Sequence, residues 1–289
     1  MNYRRLCLRM CNLKYSVLMS VYYKENPNYH TERIESMLRQ TVKPDEIVIV
    51  KDGPLTPELD NVISNYVKTY PDLFNIISLK KNVGLGLALN EGLKKCKNNL
   101  VARMDTDDIS LENRCELQLM EFLKNPNISI CGTMIDEFYG STQNIIATRI
   151  VPLNHDDILK FGRRRSPFNH VSVMYKRDDV LACEGGYHDV NRKEDFDLFV
   201  RMINNNCLGV NIDKSLVLVR ASDDYFSRRK SWSNCKSYIL VVYKFWKKGY
   251  STFLDFLFVI LSQLVIFLSP IWLLKIISNR FLRKKINDV

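Results

Sequence analysis

The chain has 289 residues, a formal net charge of +10 and hydrophobic side chains at 46% of its positions. That length allows one sizeable core, or one core with an appendage. Its eight cysteines include no CxxC pair and complete no zinc site with histidines, so we expect reduced thiols in the cytosol.

Strand-like and helix-like segments alternate through the first hundred residues, and no cleavable signal peptide is visible before them. In chain order we predict a strand at Tyr15–Val21, a helix at His30–Arg39, a strand at Glu46–Val50, a helix from Pro57 to about Tyr70, a strand at Phe74–Leu79, a helix at Gly84–Lys95 and a strand at Leu100–Met104. This order with short links predicts an α/β fold with right-handed βαβ units and a mostly parallel sheet.

The order is less regular after residue 110. The predicted elements are a helix at Leu111–Lys124, strands within Ile128–Phe138 and Ile145–Val151, a short helix at His155–Phe161, a strand at Val171–Tyr175 and a helix at Asp195–Asn205. No repeat or low-complexity linker interrupts this part of the chain. We therefore expect one domain over residues 1–225 and an appendage over residues 226–289.

Acidic side chains follow two of the predicted strands. Asp52 comes after the second strand, and Asp105, Asp107 and Asp108 of RMDTDDIS come after the fourth. Carboxylates this close repel one another, so a fold tolerates them on a solvated turn or around a cation. The carboxyl ends of parallel strands share one sheet edge, where open α/β sheets bind ligands, so these groups can converge.

A second acidic pair, Glu194 and Asp195, begins the helix predicted at Asp195–Asn205. One interpretation is that both carboxylates complement the helix dipole. The other is that one of them serves as a general base. The pattern alone leaves both interpretations open.

Six segments resemble, in order and spacing, the motifs of a family 2 glycosyltransferase. They are SVLMSVYYKENP, SMLRQTVKPDEIVIVKDGPL, NVGLGLALNEGL, LVARMDTDDIS, SPFNHVSVMYKR and EDFDLFVRM, and they span roughly residues 14–230. More narrowly, the chain resembles bacterial enzymes that build O-antigen or capsule repeat units. The resemblance implies the glycosyltransferase A fold and a sugar-nucleotide donor, usually a UDP-sugar.

The resemblance also implies how the chain would hold the nucleotide. Asp52 would bind the uracil or ribose, with Ser20 and Tyr22 beside the base. Asn82 and Gly84 would pack a loop against the nucleotide. The alternative for NVGLGL is an ordinary strand-to-helix turn, and as a dinucleotide fingerprint it fails at the third glycine.

In the same family, Asp105 and Asp107 would form the DxD motif, with Asp108 behind them. Asp105 would touch the ribose or the metal, and Asp107 would coordinate the ion that bridges the donor diphosphate. Mn²⁺ or Mg²⁺ suits these oxygen ligands and would stabilise the negative charge of the leaving UDP.

By the same resemblance, Asp195 would take the proton from the acceptor hydroxyl, and Glu194 would orient the acceptor or a neighbouring side chain. A single displacement without an enzyme nucleophile inverts the anomeric centre. The chain lacks the QxxRW motif of processive synthases, which favours the addition of one sugar. The resemblance favours a galactosyl or glucosyl donor and an acceptor sugar on undecaprenyl diphosphate.

Three further residues have more than one interpretation. His170 is either a structural hydrogen-bonding residue or part of the donor or acceptor site. Arg228 and Arg229 are suited to phosphate, so they would bind the donor diphosphate or a lipid diphosphate, or else add positive charge at a membrane surface.

The positive charge is concentrated at the end of the chain. Residues 225–289 contain twelve Lys or Arg and two Asp, together with nineteen uncharged positions in succession, FLFVILSQLVIFLSPIWLL. This composition favours a membrane surface over nucleic acid as the partner. Positive residues on both flanks, and Pro270 near the end, favour an interfacial or re-entrant helix pair over a single span. The catalytic domain would then face the cytosol, on the inner membrane of a bacterium.

Two other classes of protein remain open. A nucleotidyltransferase also uses a carboxylate-bound metal on an α/β sheet, but it commonly has a glycine-rich, lysine-bearing loop that SVLMSVYYKENP lacks. A non-catalytic membrane scaffold would be expected to lose the acidic residues, which are all present here.

Overall fold

The computed structural model describes residues 13–221 and 229–270. Its first half contains the predicted alternation, with bounds that differ from the sequence prediction by three residues or fewer. The elements are β1 (Tyr15–Val21), α1 (Pro27–Leu38), β2 (Glu46–Lys51), α2 (Pro57–Thr69), β3 (Phe74–Ser78), α3 (Leu85–Leu93) and β4 (Leu100–Met104).

The second half is more irregular, as predicted. The elements are β5 (Ile109–Ser110), α4 (Arg114–Lys124), β6 (Ile128–Phe138), β7 (Ile145–Arg149), α5 (His155–Gly162), β8 (Met174–Lys176), α6 (Arg177–Ala182), α7 (Glu194–Asn204), β9 (Leu208–Arg220), α8 (Trp232–Lys247) and α9 (Phe253–Leu268).

Within these residues, nine strands form one sheet in the order β3-β2-β1-β4-β8-β6-β9-β5, with β7 paired to β6. The first four strands are parallel, which confirms the predicted βαβ units. Beyond β4 the sheet is mixed, because β8 is antiparallel to both β4 and β6, whereas β6 and β9 are parallel. The sheet therefore continues past its parallel half through strands that the sequence pattern describes less well.

Two strands differ from the sequence prediction. The segment predicted as a strand at Val171–Tyr175 begins instead with a 3₁₀ turn at His170–Ser172, before the short β8. Strand β9 has 13 residues, although only its end, LVLVR, has a strand-like pattern. Its centre contains Asp213 and Lys214, which fall where the register between β6 and β9 shifts, so the alternation is broken there.

Both faces of the central strands are buried. Val17 and Met19 of β1 contact one core cluster, which includes residues of α1, α2 and α4, whereas Leu18 contacts a second, which includes residues of α3 and α7. This double burial explains why these strands are continuous apolar runs without polar alternation. The sheet is thus the middle layer between two layers of helices.

Helices α8 and α9 pack against α7. Phe196 and Val200 of α7 form a third apolar cluster with Val241, Val242, Phe245 and Val259. Helix α9 ends at Leu268, and Ser269 is extended, as expected for a residue before proline. In the part of the chain that the structure describes, every helix is too short or too polar to cross a bilayer.

Candidate functional site

Asp52 joins two loops at the carboxyl edge of the parallel strands. It follows β2 and is buried. One carboxylate oxygen accepts a hydrogen bond from the backbone N–H of Val83 at 2.7 Å, and the other accepts one from Gly84 at 3.1 Å. The side chain of Asn82 donates to the backbone oxygen of Asp52 at 3.3 Å. The second and third of the six motif segments, which contain Asp52 and Gly84, are therefore fixed to each other.

Two glycines make this junction possible. Gly53 has φ +88°, and a Cβ there would lie 2.7 Å from the backbone nitrogen of Asn82. Gly86 allows the first turn of α3 to approach α7, since a Cβ there would lie 3.1 Å from Cβ of Glu194. Gly53 thus allows the loop after β3 to lie against the Asp52 turn, and Gly86 allows α3 to lie against the second acidic pair.

The DxD segment leads directly out of β4. The carboxylate of Asp105 forms an ion pair with the buried guanidinium of Arg103. Burial tends to raise the pKa of Asp105, but Arg103 outweighs this, with smaller contributions from His170 and Arg33, and lowers it below the usual value. Asp105 is therefore held as a carboxylate at neutral pH.

The pKa values of the two neighbouring carboxylates, Asp107 and Asp108, are raised instead. Asp107 is exposed at the rim, and its partly desolvated surroundings together with the charge of Asp105 raise its pKa. Asp108 is buried and accepts a hydrogen bond from the backbone N–H of Arg220 at 3.1 Å. Burial, Asp107 and Asp105 raise the pKa of Asp108 well above its usual value. Asp108 thus fixes the loop to β9, while Asp107 presents its carboxylate outward.

The described residues include no group of three or more His, Cys, Asp or Glu side chains placed to hold a metal ion. A magnesium ion, however, is commonly held by one or two carboxylates together with the phosphates of the substrate. The outward carboxylate of Asp107 beside the charge of Asp105 fits that kind of site. The residues present therefore suit an ion that is held jointly with a diphosphate.

Ser20 and Tyr22 lie at the end of β1, next to the DxD segment. The backbone oxygen of Ser20 accepts hydrogen bonds from Arg33 and from the Thr106 hydroxyl, both at 3.1 Å. Tyr22 is 36% exposed, and its ring meets that of Tyr23 edge-on at 5.8 Å. Ser20 thus contacts the DxD segment through its backbone, and the Tyr22 ring lies at the surface.

His170 lies between the two acidic groups. Its Nε2 is 3.1 Å from the Tyr187 hydroxyl. Burial and the positive charge of Arg103 lower its pKa to about 4, although Asp105 and Asp195 both act in the opposite direction. The imidazole is therefore neutral at physiological pH. The contact with Tyr187 fits the structural interpretation, and the charges of Asp105 and Asp195 both act on the imidazole, so a role in the donor or acceptor site stays a prediction.

Glu194 and Asp195 occupy the first turn of α7. Burial and the neighbouring charge of Asp195 raise the pKa of Glu194 to about 7. Asp195 lines a cavity together with Arg229. The structure thus places Arg229 beside the second acidic pair, whereas Arg228 lies outside the described residues.

Three charged residues at this edge were not predicted as site residues from the sequence. Arg103 is the one most visible in the sequence, because it interrupts the apolar run LVARM. Arg33 and Glu25 lie beside the DxD segment, and burial with the charges of Asp107 and Asp105 raises the pKa of Glu25 to about 7. Nothing in the local pattern around Arg33 or Glu25 distinguishes them from surface charges.

Similarity to known proteins in sequence and in fold identifies the protein family of this chain. The model of the family "Glycosyl transferase family 2" matches residues 16–197. A mannosyltransferase from Pyrobaculum calidifontis, solved with GDP-Man and Mn²⁺, superimposes with a TM-score of 0.62 at 15% identity, over 89% of this chain and 70% of the other. The fold is therefore the glycosyltransferase A type.

Sequence relatives agree with this fold. An Escherichia coli UDP-Gal:alpha-D-GlcNAc-diphosphoundecaprenol beta-1,3-galactosyltransferase is 35% identical over 93% of this chain and 98% of its own length. The amylovoran biosynthesis glycosyltransferase AmsE of Erwinia amylovora is 37% identical over 77% of this chain and 82% of its own length. The chain belongs to glycosyl transferase family 2, and it is an enzyme, a glycosyltransferase.

The tether at Asp52 gives a first testable expectation. Asp52→Ala should lower the free energy of unfolding by about 1–3 kcal/mol, because the N–H groups of Val83 and Gly84 lose a buried charged acceptor. Urea denaturation measures the change. The matched control is Asp60→Ala, which removes only the partly exposed ion pair with Lys51 and should cost less than about 1 kcal/mol. Equal losses in the two variants would show that the tether contributes nothing.

Proposed function

We propose that the protein is an inverting, metal-dependent glycosyltransferase of polysaccharide or O-antigen biosynthesis. It moves one hexose from a UDP-sugar, UDP-Gal or UDP-Glc, to a sugar on a lipid diphosphate. The observation that carries this proposal is the convergence of Asp52, the DxD segment and the Glu194-Asp195 pair at one sheet edge. The donor and acceptor named for the E. coli relative support the choice of substrates.

On the donor side, Asp52 and the loop at Asn82 and Gly84 bind the nucleoside, with Ser20 and Tyr22 beside the base. Asp105 and Asp107 face the donor diphosphate. When bound there, Mn²⁺ or Mg²⁺ would neutralise the negative charge that develops on the leaving diphosphate. The outward orientation of Asp107 supports its role as the main protein ligand.

On the acceptor side, Asp195 accepts the proton of the attacking hydroxyl. The hydroxyl then attacks the anomeric carbon from the face opposite the leaving UDP, which inverts the configuration. Glu194 orients the acceptor, and its raised pKa follows from burial and from the neighbouring charge of Asp195. Neutral His170 is influenced by both Asp105 and Asp195, and it contributes hydrogen bonding without a positive charge of its own.

We further propose that residues 1–225 form the catalytic domain and that residues 226–289 associate with a membrane, at the cytoplasmic face of the bacterial inner membrane. The support is the outer surface of α9, where nine apolar side chains are exposed: Phe253, Leu254, Leu257, Phe258, Leu261, Leu264, Val265, Phe267 and Leu268. Lys244, Lys247 and Lys248 lie just before this helix. An apolar surface beside basic residues suits an anionic lipid interface.

The membrane proposal can be tested without deleting the helix. Leu254 and Leu261 are 71% and 56% exposed, so changing both to Glu should abolish co-sedimentation with anionic phospholipid vesicles and leave the fold intact. The matched control changes Ile146 and Leu153, which are also exposed but lie outside α9. If the control pair reduces sedimentation as much as the α9 pair, the membrane contact lies elsewhere.

The function itself is tested by incubating the protein with radiolabelled UDP-sugars, Mn²⁺ and an alkyl diphosphate-linked N-acetylglucosamine. Transfer of label to the alkyl product with an inverted anomeric centre supports the proposal. Conversion of the donor into a new activated nucleotide would indicate a nucleotidyltransferase, and donor binding without turnover would indicate a non-catalytic scaffold.

A further inference from the structure

A cavity of about 260 Å³ lies beside Asp195, between the start of α7 and helices α8 and α9. Five cationic side chains line it: Arg149, Arg165, Arg192, Lys193 and Arg229. Among the residues that the structure describes, two carboxylates, Glu137 and Asp195, share the lining. The described part of the wall is therefore rich in cations next to the proposed catalytic base.

The positive charges that line this cavity shift the pKa of Lys193. Burial lowers the pKa of Lys193, and Arg229 and Arg149 lower it further, although Asp195 and Glu194 oppose them. The ammonium group of Lys193 donates to the side-chain oxygen of Asn234 at 2.9 Å and lies 5.3 Å from the centre of the Tyr238 ring. Like charges gathered at a partly buried position raise the electrostatic energy of the site, and an anion bound among them lowers it.

The same cavity borders on the apolar surface of α9. Gln263 and Ile266 of this helix line the cavity, while Leu257, Leu261 and Val265 of the same helix are exposed. A molecule with an anionic head and an apolar chain fits both features at once, with its head in the cavity and its chain along the helix. A soluble nucleotide would use only the charged part.

We propose that this cavity binds the diphosphate of the lipid-linked acceptor and so places the acceptor sugar next to Asp195. The inference rests on the proposed function. Asp52, Asp105 and Asp107 do not line the cavity, so it is separate from the carboxylates assigned to the donor diphosphate. A diphosphate diester carries two negative charges, which suit a cavity whose described lining has five cationic side chains.

The test uses three acceptors with the same sugar and the same alkyl chain, joined through a diphosphate, a monophosphate or an ether oxygen. Arg149→Gln and Arg165→Gln should each raise KM for the diphosphate acceptor roughly tenfold or more, since charge-assisted hydrogen bonds to phosphate are lost. KM for the ether acceptor and for the UDP-sugar should stay within about twofold. Arg163→Gln is the control, because Arg163 is exposed two positions from Arg165 and does not line the cavity.

Sugar-free alkyl diphosphate gives a second measurement that needs no turnover by the variants. It should compete with the acceptor in the wild-type enzyme and bind at least about tenfold more weakly to Arg149→Gln, measured by calorimetry. Vesicles of anionic phospholipid should not compete for this site; if they displace the alkyl diphosphate, the cavity recognises lipid headgroups in general.

Other outcomes separate the two proposals. If the wild-type enzyme uses the ether acceptor as well as the diphosphate acceptor, the cavity assignment fails while the glycosyl transfer proposal stands. If Arg149→Gln and Arg165→Gln raise KM for the UDP-sugar instead, the cavity binds the donor diphosphate. If the wild-type enzyme transfers sugar to none of the three acceptors, the lipid-linked acceptor and the cavity assignment both fail.

Discussion

Asp195→Asn should lower the turnover number by roughly 10²–10⁴-fold while UDP-sugar binding stays near wild type. The amide keeps the shape of the side chain and can still hydrogen-bond the acceptor hydroxyl, but it cannot accept the proton. The measurement pairs steady-state rates at saturating acceptor with donor binding by calorimetry. Retention of more than about a tenth of the rate, a loss of about 1.4 kcal/mol of transition-state stabilisation, would show that another residue is the base.

Glu194→Gln is the control for this assignment, because the two carboxylates are adjacent in the first turn of α7. Asp195 lines the cationic cavity, whereas Gly86 of α3 lies close against Glu194. Because Glu194 is proposed to orient the acceptor and not to take its proton, the variant should change acceptor affinity more than turnover. A larger loss of turnover in Glu194→Gln than in Asp195→Asn would exchange the two roles.

The parallel half of the sheet could be predicted from sequence because its strands are buried on both faces. The bounds of β1 and β4 match the apolar runs residue for residue. Only the end of strand β9 has a strand-like sequence. The rest of the strand depends on pairing with β6, whose register shifts at Asp213 and Lys214. Local pattern therefore predicts an element well where burial alone defines it, and poorly where long-range pairing does.

The same distinction applies to the site. The acidic residues could be predicted as site residues because each ends a strand or begins a helix, where a short motif is visible. The cationic cavity was not found, since Arg149, Arg165, Lys193 and Arg229 are separated in the chain by as much as eighty residues and meet only in the folded protein. The partnership of Arg103 with Asp105 was also missed, although the arginine stands out in an apolar strand. Charge clusters built by tertiary contacts leave no spacing to detect.

Asp107→Ala should reduce turnover at least about 100-fold, and chelation of divalent ions should abolish transfer by the wild-type enzyme until Mn²⁺ or Mg²⁺ is restored. The reason is that Asp107 presents its carboxylate outward, whereas Asp105 is held by Arg103. Steady-state rates with and without a chelator measure both effects. Full activity in the chelator would overturn the metal assignment.

Asp105→Ala tests whether Asp105 stabilises the fold in addition to supporting activity. It should lose activity too, but it leaves the buried Arg103 guanidinium without its carboxylate, so unfolding should become easier by about 1–3 kcal/mol. Asp107→Ala should be destabilised less, because its carboxylate is exposed and acts on the buried Arg33 less strongly than Glu25 and Asp105 do. Urea denaturation of the two variants distinguishes these outcomes. Equal destabilisation would mean that Asp107 has a structural role as well, and its activity loss could then no longer be assigned to a bound cation.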